Sequence, residues 1–169
     1  MRKKSNLLLI ASLLLSLSFL LAGCSGEKIV QSGDTVKVDY TGKLSDGTVF
    51  DTSVGKQPLE FTLGSNEVIE GFETAVLGMK VGESKTVTIP AVQAYGERDE
   101  SLVLEADRSA FPTDQELKVG MQFQGSSSIG TLIFTIIEIN DTKVKVDGNH
   151  SLAGKDLTFE ITLVEIISK

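Results

Sequence analysis

The scarcest reactive side chains in the chain are one histidine, His150, one cysteine, Cys24, and two tyrosines, Tyr40 and Tyr95. Their scarcity narrows the chemistry. Ser-His-Asp or Cys-His nucleophilic catalysis would need His150 as its base. A structural zinc site needs several Cys or His ligands, more than the chain contains. No phosphate-cradling loop of the GxxxxGK or GxGxxG type occurs. Carboxylates are plentiful, but no spacing singles out a pair. What remains is an activity carried by shape, apolar contact and hydrogen bonds, with no cofactor expected. His150 itself lies in "DGNHSLAGK", with no companion ligand for a metal.

The elements that must position such a site begin after a leader. "MRKKSN" is short and basic, and the apolar run Leu7–Leu21 is too short for a membrane span but matches a secretory signal. Its end, "LAGC", resembles the bacterial lipobox at Leu21, Ala22, Gly23 and Cys24, where a signal peptidase cleaves before a lipidated cysteine. The alternative is an ordinary signal peptide with an incidental cysteine. On the lipobox reading, residues 1–23 are the signal peptide, 24–33 a lipidated tether, and the folded part starts near Asp34. The protein is then extracytoplasmic and anchored to a membrane through Cys24, stably so when more than one acyl chain is attached. Cleavage also removes Arg2, Lys3 and Lys4 and no acid, which takes the net charge from −7 to −10. So acidic a domain has no electrostatic footprint for nucleic acid.

Hydrophobic periodicity predicts an α+β fold, an antiparallel sheet wrapped on a short helix. "DTVKVDYTGKL" (34–44) alternates, with Val36, Val38 and Tyr40 on one face, and the Asp46-Gly47 turn follows. "PLEFTLG" (58–64) alternates through Leu59, Phe61 and Leu63. Phe72, Ala75, Val76 and Met79 then share one helical face, with Gly82 ending the turn beyond it. "SKTVTIP" (84–90) and "DLTFEITLVEII" (156–167) complete the sheet, the second with Leu157, Phe159, Ile161 and Leu163 inward. Between them, 97–149 reads as a small inserted, mainly β domain with three strands at 119–125, 131–139 and 142–147. In "TLIFTIIEI", Leu132, Phe134 and Ile136 face one way and Ile133, Ile137 and Ile139 the other. Either both faces are buried, or one is exposed as a binding surface for unfolded chains.

Four stretches, "VDYTGKLSDGTVFDTS", "PLEFTLGSNEVIEGFETAVLGMKVGE", "IPAVQAYGERDE" and "DGNHSLAGKDLTFEITLVEI", occur in an order that resembles the FKBP-type peptidyl-prolyl isomerases. More narrowly, they resemble the SlyD-like branch, which carries an insert-in-flap domain. The resemblance covers nearly all of the chain from Asp34 onward. It implies a catalytic set of Tyr40, Asp51, Tyr95 and Phe159. Around them it implies a substrate-binding wall of Phe50, Leu59, Phe61, Val68, Ile69 and Phe72, with His150 and Leu152 at the rim. It also implies a hydrogen bond from the Ile69 N–H to a substrate carbonyl. Implied partners are unfolded or proline-containing polypeptides and the family's macrolide inhibitors, and the implied work is isomerisation together with chaperone holding in 97–149. Two features depart from the pattern. Phe72 stands where the family often has Trp, and the His-rich tail of some members has no counterpart in "VEIISK".

The reaction so implied suits the residues present. Rotation about an X-Pro bond has a barrier of about 20 kcal/mol and breaks no bond, so it needs no nucleophile. An apolar pocket favours the twisted amide over the planar, well-solvated one. Tyr40, Phe50, Leu59, Phe61, Phe72 and Phe159 could supply its walls and Tyr95 a hydroxyl donor. Phe61 and Phe159 could also be plain core, and Asp51 only a turn cap. Two rival functions stay open, a polypeptide-binding chaperone or scaffold with little isomerase activity and a lipoprotein that captures a small ligand.

Overall fold

The computed structural model describes residues 27–112, 116–127 and 130–167. Cys24, the lipobox and the expected signal peptide lie outside them. Among the described residues no helix is long and apolar enough to cross a membrane.

The larger sheet is antiparallel throughout and forms around two long strands, β1 (Thr35–Lys43) and β9 (Leu157–Ile167). On the other side of β1 lie β2 (Val49–Thr52) and β3 (Leu59–Thr62), which pair with its two ends, and β4 (Ser84–Ile89) flanks β9. Alternation along β9 buries Leu157, Phe159, Ile161 and Leu163 on the face that holds the helix α1 (Glu70–Val76). The outer face carries hydroxyl pairs such as Thr41–Thr52, Ser84–Thr162 and Thr88–Thr158. The α+β architecture expected from the periodicity is therefore the one observed.

The helix sits close to the sheet because Gly71 has no side chain. A Cβ there would lie 2.3 Å from Cγ2 of Ile89 on β4. Phe72, Ala75 and Val76 are buried with it. Met79 is buried as well, but from beyond the helix. The helix ends before Gly78, whose φ of 80° turns the chain, and Gly82, with φ of 83°, closes the turn beyond it as expected and donates to the Leu163 carbonyl at 2.8 Å. The folded part also starts earlier than Asp34. Val30 is buried, accepts from the Gly78 N–H at 3.0 Å and donates to the Met79 carbonyl at 2.9 Å, and Ile29 bridges to Lys80, so the folded part starts near Ile29 and any tether is shorter.

The smaller sheet has four strands, not three. Their order is β5-β8-β7-β6, with β5 at Val103–Asp107, β6 at Gln122–Ser127, β7 at Gly130–Ile139 and β8 at Lys143–Asp147. Phe134, Ile136, Val144 and Val146 form its core. Phe134 lies over two glycines, since a Cβ on Gly125 or on Gly148 would come within 2.8 Å of its ring. A bulge between Ile136 and Glu138 shifts the phase of β7. Ile139 thereby packs with the core instead of joining Ile133 and Ile137, which are 56% and 36% exposed.

Two chain passes join the sheets and are bonded to each other. Gly154 N–H donates to the Gly96 carbonyl at 2.8 Å, and Asp99 and Asn149 exchange two bonds of 2.8 Å. Arg98 pairs with the buried Asp147, which also accepts from the backbone and side chain of Asn149 at 2.9 and 2.8 Å.

Candidate active site

A cleft of about 190 Å³ opens between the helix and the inner face of the larger sheet, lined by Tyr40, Phe50, Asp51, Leu59, Glu67, Val68, Ile69, Phe72, Tyr95 and Phe159. Its floor is aromatic and packed edge to face, the favoured arrangement for ring quadrupoles. Phe72 stands 5.1 Å from Phe159 at 80° and 5.8 Å from Tyr40 at 83°. Phe50 meets Phe159 at 5.7 Å and 89°. Gly42 makes this possible. It pairs with Phe159 across the sheet, and a Cβ on it would lie 2.6 Å from Cζ of Phe50 and 3.0 Å from Cε1 of Phe159. Nothing in the spacing of "YTGKL" announces that role.

Tyr40 and Asp51 are locked as a unit. Ser53, which is buried, accepts from the Tyr40 N–H at 2.9 Å and donates its own N–H to the Tyr40 carbonyl at 3.0 Å, clamping the end of β2 to β1. The Tyr40 phenol then donates to Asp51 Oδ2 at 2.5 Å. Burial and then this bond push the Tyr40 pKa up to about 12, so the phenol is neutral at any physiological pH. Two other donors are uncommitted. Among the described residues the Tyr95 hydroxyl and the Ile69 N–H have no protein acceptor, and both residues line the cleft. Ile69 stands at the N-terminal cap of α1, where a backbone N–H is left over by the helix geometry.

Three residues expected at the site are not among those that line the cleft. Phe61 is only 2% exposed and lies behind the floor, 5.9 Å from Phe72, because its register opposite Val36 places it deep under β1. His150 and Leu152 do not line the cleft. Leu152 packs on the main core, and His150 is stacked on Tyr95 from outside. Glu67 lines the cleft and was not anticipated. A larger hollow of about 370 Å³ lies over Thr41, Ser84, Thr86 and Thr162 on the outer face, but it lacks the phenylalanine walls of the cleft. Among the described residues no three His, Cys, Asp or Glu side chains gather as metal ligands do.

A family model described as FKBP-type peptidyl-prolyl cis-trans isomerase matches residues 26–164. The chain belongs to this family. It is an FKBP-type peptidyl-prolyl isomerase, with relatives of both short and SlyD type. It is 40% identical over 153 residues to the short-type peptidyl-prolyl cis-trans isomerase of Methanocaldococcus jannaschii, covering 82% of this chain and 94% of that one. It is 38% identical over 128 residues to the SlyD isomerase of Treponema pallidum, covering 76% and 73%. With the SlyD isomerase of Escherichia coli (strain K12) it shares 37% over 131 residues, covering 78% and 67%. Among the described residues, the aromatic cleft joins an apolar floor to unclaimed hydrogen-bond donors.

Proposed function

We propose that the cleft isomerises X-Pro bonds by binding the twisted amide more tightly than the planar one. The observation that carries this reading is the pairing of two free donors, the Tyr95 hydroxyl and the Ile69 N–H, with a floor made of Phe72, Phe159 and Tyr40. The apolar floor replaces water around the amide. That replacement penalises the planar, charge-separated form more than the twisted one. Ile69 N–H holds a substrate carbonyl, and Tyr95 offers a second donor at the rim. Asp51 transfers no proton, because the reaction moves none. It accepts from Tyr40 and the Thr52 N–H and so fixes the wall.

The smaller sheet would act as the chaperone part. It holds an apolar hollow of about 450 Å³ bordered by Leu104, Phe111, Phe123, Phe134 and Val146, a surface suited to an unfolded segment. Weak holding there raises the local concentration of prolines at the cleft. With Cys24 lipidated, the protein would serve exported polypeptides beside a membrane. Macrolide inhibitors of the family would compete for the cleft.

A second reading is a polypeptide-binding chaperone or scaffold with little isomerase activity, favoured by Phe72 at the floor and by the hollow in the smaller sheet. Isomerisation of a short proline peptide by the full chain separates the two. Acceleration that survives deletion of 97–149, with loss of activity on an unfolded protein, supports the first. A rate equal to the uncatalysed one leaves only the second.

A further inference from the structure

We infer that His150 is a positioning residue for the isomerase reaction, and that it acts by holding the Tyr95 ring against the rim of the cleft. The inference rests on the proposed role of Tyr95 as a donor that faces the substrate. The two rings are stacked with centroids 4.0 Å apart and planes within 4°. Tyr95 needs such a support. It is 41% exposed, and among the described residues its hydroxyl has no acceptor. Left alone, a side chain of that kind samples several rotamers, and each one that points away removes the donor from the cleft.

The support is itself braced. His150 Nδ1 accepts the Leu152 N–H at 3.2 Å, so the neutral ring carries its proton on Nε2, and the His150 carbonyl accepts the Ala153 N–H at 2.9 Å. These two bonds close a tight turn. Gly154, with φ of 72°, then donates to the Gly96 carbonyl at 2.8 Å, one residue past Tyr95. A Cβ on Gly154 would come 3.2 Å from Cβ of Arg98, so the two passes approach closely there. The Tyr95 side is fixed equally locally, since the Gly96 N–H returns to the Ala91 carbonyl at 2.8 Å. Both rings are thus presented by short turns that are bonded to each other. His150 is exposed and lies outside the cleft lining, so it acts on the substrate only through Tyr95.

Two replacements in the full chain separate the ring from its hydrogen bond. H150N keeps an acceptor for the Leu152 N–H and loses the stack, whereas H150F keeps a stacking ring and loses the acceptor. We expect H150N to lower kcat/KM on a proline peptide by about two- to tenfold, the scale of one aromatic pair, and H150F to retain most of it. In a Y95A background H150N should add nothing. NMR provides the second readout. The ring protons of Tyr95 should move toward exposed values in H150N and stay put in H150F, while those of Tyr40 are unchanged in both. Unchanged activity and unchanged Tyr95 resonances in H150N would overturn the inference. So would a loss that persists in the Y95A background. An inactive wild type would sink the isomerase reading alone, and the Tyr95 resonances would still decide the stack.

Discussion

Tyr40 donates its phenol proton to Asp51 across 2.5 Å at the wall of the cleft. Burial first, and the Asp51 bond second, raise its pKa from 10.0 to about 12. A phenol whose pKa is raised by folding contributes stability that is whole below the unfolded value. Above pH 10 the unfolded chain releases its proton first, so the contribution falls as pH rises toward 12. With two tyrosines and no tryptophan, absorbance titration reads this directly. We expect a late phenol transition near pH 12 that disappears in Y40F and moves part way down in D51N, because burial persists. Ionisation of Tyr40 at its ordinary value would refute the argument. Y40F should also lower kcat/KM by about three- to tenfold, the scale of one hydrogen bond.

Gly42 should tolerate no side chain. A methyl there meets the Phe50 ring at 2.6 Å and the Phe159 ring at 3.0 Å. Phe50 is half-buried and the more free to yield, so G42A should swing it off the cleft wall. Overpacking of this kind costs about 1–3 kcal/mol. We expect chemical denaturation to show that loss, together with weaker peptide turnover. Adding F50L to G42A should recover stability by removing the collision without restoring the aromatic wall. A G42A protein as stable and active as wild type would show that the rings have more room than this packing allows.

Acid should loosen the neck between the two sheets. Asp147 is 7% exposed. Burial works to raise its pKa, but the Asn149 N–H bonds and the Arg98 guanidinium outweigh it and hold the carboxyl below its ordinary range. A carboxyl lowered by folding contributes stability above its unfolded pKa and loses it as pH falls through the folded value. Urea unfolding between pH 7 and about pH 3 should show this decline, and D147N should flatten it. An equal decline in D147N would assign the acid sensitivity to other carboxyls.

Much of the fold was legible because strands with one buried face write it into alternation. β1, β3 and β9 each carry apolar residues at every second place, and all three formed as read. β5 escaped notice because Glu105 and Asp107 hide a short alternation that only its pairing with β8 sustains. The site was legible as a set of residue types and less so as a place. Phe61 and Phe72 look alike in the chain, yet the register of β3 buries one behind the other. Gly42 and His150 matter through neighbours remote in sequence, Phe159 and Tyr95, and periodicity carries no information about such contacts.

Charge at the cleft should bias which prolines are turned over. Of the residues that line it, only Asp51 and Glu67 are charged, and both are acidic. Asp51 is occupied by Tyr40 and the Thr52 N–H. Glu67 is exposed and, among the described residues, is held only by a long bond of 3.4 Å from the Thr62 N–H, so its carboxylate is available to a passing cation. A lysine beside the X-Pro bond therefore gains an exposed ion pair, about 0.2–1 kcal/mol, and a glutamate meets repulsion of similar size. We expect kcat/KM to rank lysine above glutamine above glutamate peptides by about two- to fivefold per step at low salt. The ranking should shrink as ionic strength rises and flatten in E67Q. Peptides that react equally at low salt would place the substrate's flanking residues beyond the reach of Glu67.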